Sequence, residues 1–309
     1  MSMYLGVAGA CAEQKANASV AAYTLENINF QDSSDATGYT PVELLIGGNQ
    51  MLIAHEPGSA EKIHAFAFDD TNHPAWATAD DTLSLTNKNP RALVFGDNGN
   101  YLYVGGTVAS SNIVRHTLST AYDIGTAGAT QTVNSSLYSS GAQGLAFNDT
   151  GTKLFVADGG SVITLTLTTA WNLSAGTKAT NSFTSVTDSD GDALNNFTGI
   201  RFNADGTKMF ISYRNSFGDE ALTANHAKIA EFNLTTAYTV STAAFVRSLD
   251  THPQLGYYDF VPAPPPPSTR PTLIAGFDWN SDGTALFVAA VHVDALSTTG
   301  PKILRYTFD

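Results

Sequence analysis

The densest run of metal-binding side chains in the sequence is Asp188-Ser-Asp-Gly-Asp192, followed by Asn195 and Asn196. Alternating carboxylates at Asp188, Asp190 and Asp192 place hard oxygen donors on one side of a tight loop, which is the donor set Ca²⁺ takes. The spacing departs from the helix–loop–helix calcium pattern, because Gly191 comes too early and no Glu closes the loop. An acidic turn is the simpler reading, and calcium is the one cofactor the sequence offers. Other chemistry is thinly represented. There is no Gly-x-Ser-x-Gly, and the single cysteine, Cys11, has no partner for an internal disulfide. The seven histidines, His55, His64, His73, His116, His226, His252 and His292, are scattered without metal-ligand spacing.

Composition narrows the classes further. The chain has 309 residues, 43% of them hydrophobic and 14% charged, with 15 Lys plus Arg against 28 Asp plus Glu and a net charge of −13. A large core is available, and the surface must be wetted mainly by Ser, Thr, Asn and Gly. Nucleic-acid binding needs a positive footprint, which no basic cluster here supplies. No apolar run is long enough to span a bilayer as a helix. The apolar stretch near Tyr4–Ala12 lacks a positive n-region, so synthesis in a cytoplasm without a signal peptide is expected.

The elements that would position any site come from an internal repeat. Gly144-Leu-Ala-Phe-Asn-Asp-Thr-Gly-Thr-Lys-Leu-Phe-Val156 aligns with Gly199–Ile211 and Gly276–Val288, then with Ala92–Val104, and more weakly with Glu43–Ile53. Each copy reads as an apolar strand, an Asn/Asp-rich turn with Gly, and a second apolar strand, which is a hairpin. Beside the hairpins stands a second signature: Leu118-Ser-Thr-Ala-Tyr122, Leu167-Thr-Thr-Ala-Trp171 and Leu234-Thr-Thr-Ala-Tyr238. An alternating strand precedes each and a short apolar strand comes after it, making four strands per copy. The repeated aromatics Tyr122, Trp171 and Tyr238 are expected to pack over a blade edge as core.

The expected fold is therefore all-β: a single β-propeller of five four-stranded blades, or six if the N-terminal strands form a partial blade. The last copy ends after its third strand, and Ser19–Leu25 or Asn27–Phe30 is expected to supply the fourth and close the ring. Residues 1–18 are left as an N-terminal arm, with the propeller over 19–309. The segment of about 250–272, with Pro262, Pro264–Pro267 and Pro271, is a proline-rich excursion that cannot join a sheet ladder.

If the first strand of each blade lines the axis, Ala92, Gly144, Gly199 and Gly276 face it, with Glu43 in the first copy. One position earlier stand Arg91, Gln143, Thr198 and Ala275. Glu43, Arg91, Gln143 and Thr198 are thus the expected binding residues at the channel mouth. Glycoside cleavage needs two carboxylates. Only Glu43 is found at these positions, so no catalytic residue is assigned and no enzyme is expected.

The run Phe-Asn-x-Asp-Gly-Thr-Lys-(Leu/Met)-Phe-(Val/Ile) with Leu-Thr-Thr-Ala-(Trp/Tyr) after it resembles the YVTN-like and related propeller repeats, over roughly residues 40–309. Such repeats are common in bacterial surface proteins and in proteins of environmental, especially marine, bacteriophages. The resemblance implies a binding or scaffold module and carries no catalytic residue. With it, the missing signal peptide, the single cysteine and the acidic Ser/Thr/Gly-rich surface lead to the expectation of a virion component, made in a host cytoplasm, that engages other virion subunits, forms a homo-oligomer within the assembly and binds host glycan. A bacterial extracellular surface or filament subunit, and a polysaccharide-active enzyme using the channel mouth, are the alternatives.

Overall fold

A computed structural model describes residues 23–29, 41–55, 61–68, 80–85, 89–107, 113–138, 140–189, 191, 193–214, 227–251, 273–291 and 302–308. The first strand, β1 (Tyr23–Asn29), belongs to the last blade of the ring. Blade 1 contains β2 (Pro41–Gly47), β3 (Gln50–His55), β4 (Glu61–Ala67) and β5 (Asp81–Leu85). Blade 2 contains β6 (Asn89–Gly96), β7 (Tyr101–Thr107), β8 (Ile113–Leu118) and β9 (Ala127–Thr132). Blade 3 contains β10 (Gly144–Phe147), β11 (Lys153–Asp158), β12 (Ser161–Leu167) and β13 (Gly176–Ser182). Blade 4 contains β14 (Phe197–Phe202), β15 (Lys208–Arg214), β16 (Ala227–Leu234) and β17 (Ala243–Asp250). Blade 5 contains β18 (Leu273–Trp279), β19 (Ala285–Val291) and β20 (Lys302–Phe308), and its outer strand is β1, antiparallel to β20 from Tyr23 opposite Phe308 to Asn29 opposite Lys302. The fold is thus the expected five-bladed propeller, closed by an N-terminal strand.

The repeat hairpins are the innermost pairs. Asn and Asp side chains in their turns bond the backbone: Asn148 Oδ1 accepts from the Lys153 amide at 2.8 Å, and Asp205 Oδ1 accepts from the Thr207 amide at 2.9 Å. Five apolar cores result, one at each seam between consecutive blades. Alternation along a strand explains this, since successive side chains leave opposite faces of the sheet and enter different seams. In β10, for example, Leu145 and Phe147 join the core shared with blade 2, while Ala146 joins the one shared with blade 4. Inner strands are covered on both faces and are nearly all buried, whereas the outer β13 is largely exposed. The fifth core, with Leu44, Ile46 and Met51 against Phe287, Ala289 and Ile303, closes the ring between blades 5 and 1.

The recurring geometry of the second signature is an inter-blade clamp. Tyr122, Trp171 and Tyr238 all have positive φ, at 66°, 64° and 54°. This conformation throws each ring over the hairpin glycine of its own blade, so that a Cβ at Gly151 would come within 2.0 Å of the Trp171 indole. It also turns each aromatic's carbonyl toward the preceding blade. Gln50 Nε2 donates to Tyr122 O, Tyr103 Oη and Arg115 Nη1 donate to Trp171 O at 2.6 and 2.9 Å, and Lys153 Nζ donates to Tyr238 O at 3.2 Å. The aromatics are core, as the sequence implies.

Candidate functional site at the ring axis

The inner strands touch in the order β2, β6, β10, β14, β18 and back to β2, so each presents one unpaired edge to the axis. Buried edge N–H and C=O groups need partners, because burial takes them out of water. Three charged side chains supply many of them. Arg201, on β14, donates through Nη1 to Leu145 O at 3.1 Å and Ile200 O at 2.9 Å, and through Nη2 to Leu44 O at 3.0 Å. Its fork of donors suits a set of carbonyls fixed in different directions. Asp278, on β18, accepts from the Ile46 amide at 2.8 Å and the Trp279 amide at 2.9 Å. Glu43, on β2, accepts from the Leu44 amide at 2.9 Å.

The three are also one ionic cluster. Arg201 Nη2 is 3.4 Å from Glu43 Oε1, and Arg201 Nε is 3.3 Å from Asp278 Oδ1. All three are buried, with Glu43 fully so. Burial pushes the Glu43 carboxyl up to about 8, against the opposing pull of Arg201. The Leu93 amide also favours the charged form, but no well-formed hydrogen bond reaches Glu43 Oε2. Burial thus favours the neutral form of Glu43 beside the Arg201–Asp278 ion pair. From β14, Arg201 reaches groups on β10, β18 and β2, so its guanidinium bridges three other inner strands.

Glu43 accordingly sits inside the ring and not at a channel mouth, which corrects its expected position. The physical reason is that its oxygen serves a backbone edge that Gly or Ala at the equivalent positions cannot serve. The other expected mouth residues behave differently. Register shifts fall between Pro41 and Glu43, Pro90 and Ala92, Phe197 and Gly199, and Ile274 and Gly276. The skipped residues include Arg91, Thr198 and Ala275, so the set one position earlier is a set of β-bulges, a device that re-aims side chains. Arg91, Thr198 and Ala275 are partly exposed, as is the equivalent Gln143, at the start of each inner strand. Thr198 Oγ1 is 2.9 Å from Ser212 Oγ.

Sequence reasoning missed Arg201 and Asp278. Their signal was present: at the repeat position filled by Leu45, Val94 and Ala146 in three blades, the other two carry a base and an acid. Read together with Glu43 at a position otherwise Ala or Gly, three polar departures from one repeat pattern mark one place in space.

The acidic loop resolves in part. Asp188 is buried, and its Oδ2 accepts from Lys228 Nζ at 2.7 Å and from Tyr213 Oη at 2.8 Å. An ammonium already neutralises this carboxylate, so a calcium ion there would have to share or displace Lys228. Asp190 and Asp192 lie outside the described residues, as do Cys11, the 1–18 arm and residues 252–272. Among the described residues no group of three or more His, Cys, Asp or Glu is placed to hold a metal, and no helix is long and apolar enough to cross a membrane.

No family model matches the chain, so none supports the likeness to YVTN-like repeats, and no curated protein matches it. Solved structures align over most of the chain at low identity. A protein of Bacteroides fragilis described as exported matches with 9% identity and a TM-score of 0.44, covering 93% of this chain and 95% of that one. The major allergen of Malassezia sympodialis matches with 11% identity and a TM-score of 0.41, over 91% and 82%. The PQQ-bound aldose sugar dehydrogenase of Streptomyces coelicolor matches with 13% identity and a TM-score of 0.37, over 92% and 98%. Likeness at this level bears on neither activity nor partner.

Proposed function

We propose that this chain is a non-enzymatic structural or adhesion propeller, a tail, fibre or capsid-surface component of a virion, which engages host glycan through one end of its ring. The observation that carries the reading is the contrast between the two ends. At one end the inner hairpin turns keep to one repeat pattern, and the aromatic clamps recur in three successive blades. At the other end, where the inner strands begin, the connections between second and third strands differ widely. They run over 56–60, 108–112, Gly159–Gly160, 215–226 and 292–301 in the five blades. Uniform turns answer to the fold, and connections free to vary on a rigid frame are where recognition is built. The bulge residues Arg91 and Thr198, with the equivalent Gln143, stand at that same end.

Two further points support a non-catalytic role. Glu43, the acid that a polysaccharide-cleaving reading would use, is buried and committed to Arg201 and the Leu44 amide. The chain's low charge content and its Ser/Thr/Asn-rich surface suit neutral polar ligands such as glycans, and the repeat's resemblance to phage and surface propellers gives the virion setting. Electron microscopy of the native source material tests this directly. Finding the chain as a regular part of a virion supports the reading, and finding it in cell-surface filaments moves the role to a bacterial assembly. Free monomers that cleave glycan, with cleavage lost in Glu43→Gln, would overturn it.

A further inference from the structure

Glu43 lies at the seam where the ring closes. Blade 5, completed by the N-terminal β1, meets blade 1 there, and the contact is tight: a Cβ on Gly276 would stand 2.2 Å from Glu43 Oε1 and 2.4 Å from the Leu44 amide nitrogen. Three polar contacts cross into blade 1 at this point. They are Ile46 N to Asp278 Oδ2, Arg201 Nη2 to Leu44 O, and Arg201 Nη2 to Glu43 Oε1. The charged groups facing Glu43 are Arg201 from β14 and Asp278 from β18. Two carboxylates thus share one buried guanidinium, and Glu43 Oε2 has the Leu93 amide near it but no well-formed hydrogen bond.

We propose that Glu43 is a proton-held latch on the blade 5–blade 1 seam: protonated, it lets the neutral cluster hold the ring shut, and on losing its proton it loosens that seam ahead of the other four. Burial of a second charge is the reason, and the Asp278 carboxylate adds to it. With the proton in place the cluster holds one cation and one anion. Without it, a second anion is confined out of water near Asp278, with only Arg201 and the Leu44 and Leu93 amides to offset the lost hydration, and that hydration returns if blades 1 and 5 part and admit water. The raised proton affinity of Glu43 fits this, since an open seam would return it to the ordinary carboxylate range. The direction of the pH effect is set by that rise. Closure is fully supported below the ordinary glutamate range and is lost progressively as pH rises to about 8.

Hydrogen exchange on the intact chain between pH 5 and 9 reads the latch locally. After correction for intrinsic base catalysis, protection of the Leu44 and Ile46 amides should fall by up to about tenfold per pH unit in that window and then level off. Protection of Leu154 and Val156 in the blade 3 hairpin should hold. In Glu43→Gln the Leu44 and Ile46 profiles should be flat. Asp278→Asn removes the neighbouring negative charge, which lowers the proton affinity of Glu43 in the closed ring and should end the fall at lower pH. Should Glu43→Gln fail to fold, the wild-type comparison of the two hairpins and the Asp278→Asn shift decide the matter. Equal loss of protection in blades 1 and 3, or no pH dependence at Leu44 and Ile46, would overturn the latch. These outcomes are independent of whether the protein is found in a virion.

Discussion

Gly276 is packed so closely on Glu43 that a Cβ there would fall 2.2 Å from Oε1, 2.4 Å from the Leu44 amide nitrogen and 2.9 Å from the Glu43 Cα. Two of these three neighbours are backbone and cannot swing away. Gly276→Ala should therefore lower stability by about 1–3 kcal/mol, the usual cost of overpacking. Pairing it with Glu43→Gly should recover only part of the loss, because the Leu44 amide and the Cα of residue 43 remain. Urea midpoints of the two single variants and the double variant check this, and full recovery would mean that the side chain alone sets the spacing.

Arg201 satisfies three inner-edge carbonyls and two carboxylates at once. Arg201→Met keeps much of the volume but takes a donor from three carbonyls and leaves Asp278 buried without its cation. The expected loss at neutral pH is about 3–5 kcal/mol, as for other buried ionic clusters stripped of one partner. Arg201→Lys should recover little, since one ammonium cannot reproduce a planar fork directed at several blades. Thermal unfolding of the two variants separates a need for charge from a need for geometry.

The fold was legible because its signals repeat. Phe-Asn-x-Asp-Gly-Thr and its near copies, with Thr-Thr-Ala-Trp/Tyr beside them, state the same local solution several times, and a shortened last copy announces an N-terminal closing strand. The axis was less legible, because pattern matching discounts what departs from the pattern. Arg201 and Asp278 lie inside runs that otherwise read as ordinary apolar strands, and which seam each enters depends on bulges that a strand period does not reveal. Glu43 was found by alignment and misplaced by it: its column gives the level along the axis, while burial and partner are set by side chains from other blades. Asp188 shows the same limit, since Lys228, which neutralises it, is 40 positions away in sequence.

Trp171 should be the costliest single deletion outside the axis. Its indole covers Gly151 and Gly96, it joins the core shared by blades 2 and 3, and its carbonyl is held by Tyr103 Oη and Arg115 Nη1. Trp171→Ala is expected to cost about 3–5 kcal/mol. Tyr103→Phe removes one neutral hydrogen bond and should cost about 1 kcal/mol. Burial pushes the Tyr103 hydroxyl above its ordinary range, so this donor keeps its proton through alkaline titration. Denaturant melts at pH 7 and pH 9 should then give the same Tyr103→Phe difference, and above about pH 10 the difference should shrink as the unfolded chain ionises first.

Stability should be greatest on the acid side of neutrality. The Thr207 hydroxyl, with the Thr207 amide, holds the Asp205 carboxyl below its ordinary range, so its contribution is present above that range and is lost as pH falls through the folded value. Glu43 works in the opposite sense, losing its contribution as pH rises to about 8. Between them the urea midpoint should peak at about pH 4–5, where Asp205 is ionised and Glu43 is not. Asp205→Asn should shallow the acid limb and leave the neutral limb alone, while Glu43→Gln should do the reverse.

The closing strand separates folding from assembly. β1 spans Tyr23–Asn29 and pairs with β20 along its whole length, so a chain lacking residues 1–18 keeps every strand of blade 5. It should melt within about 0.5 kcal/mol of the full chain, since the deletion removes no strand. A chain lacking residues 1–29 leaves β20 as an open edge and should lose cooperativity and aggregate. If the 1–18 arm is the docking element of a larger particle, the shorter deletion should also abolish assembly while the propeller stays folded. Light scattering alongside thermal melts tests both halves: retained assembly without residues 1–18 would move the docking role to the ring itself, where the variable connections offer the surface.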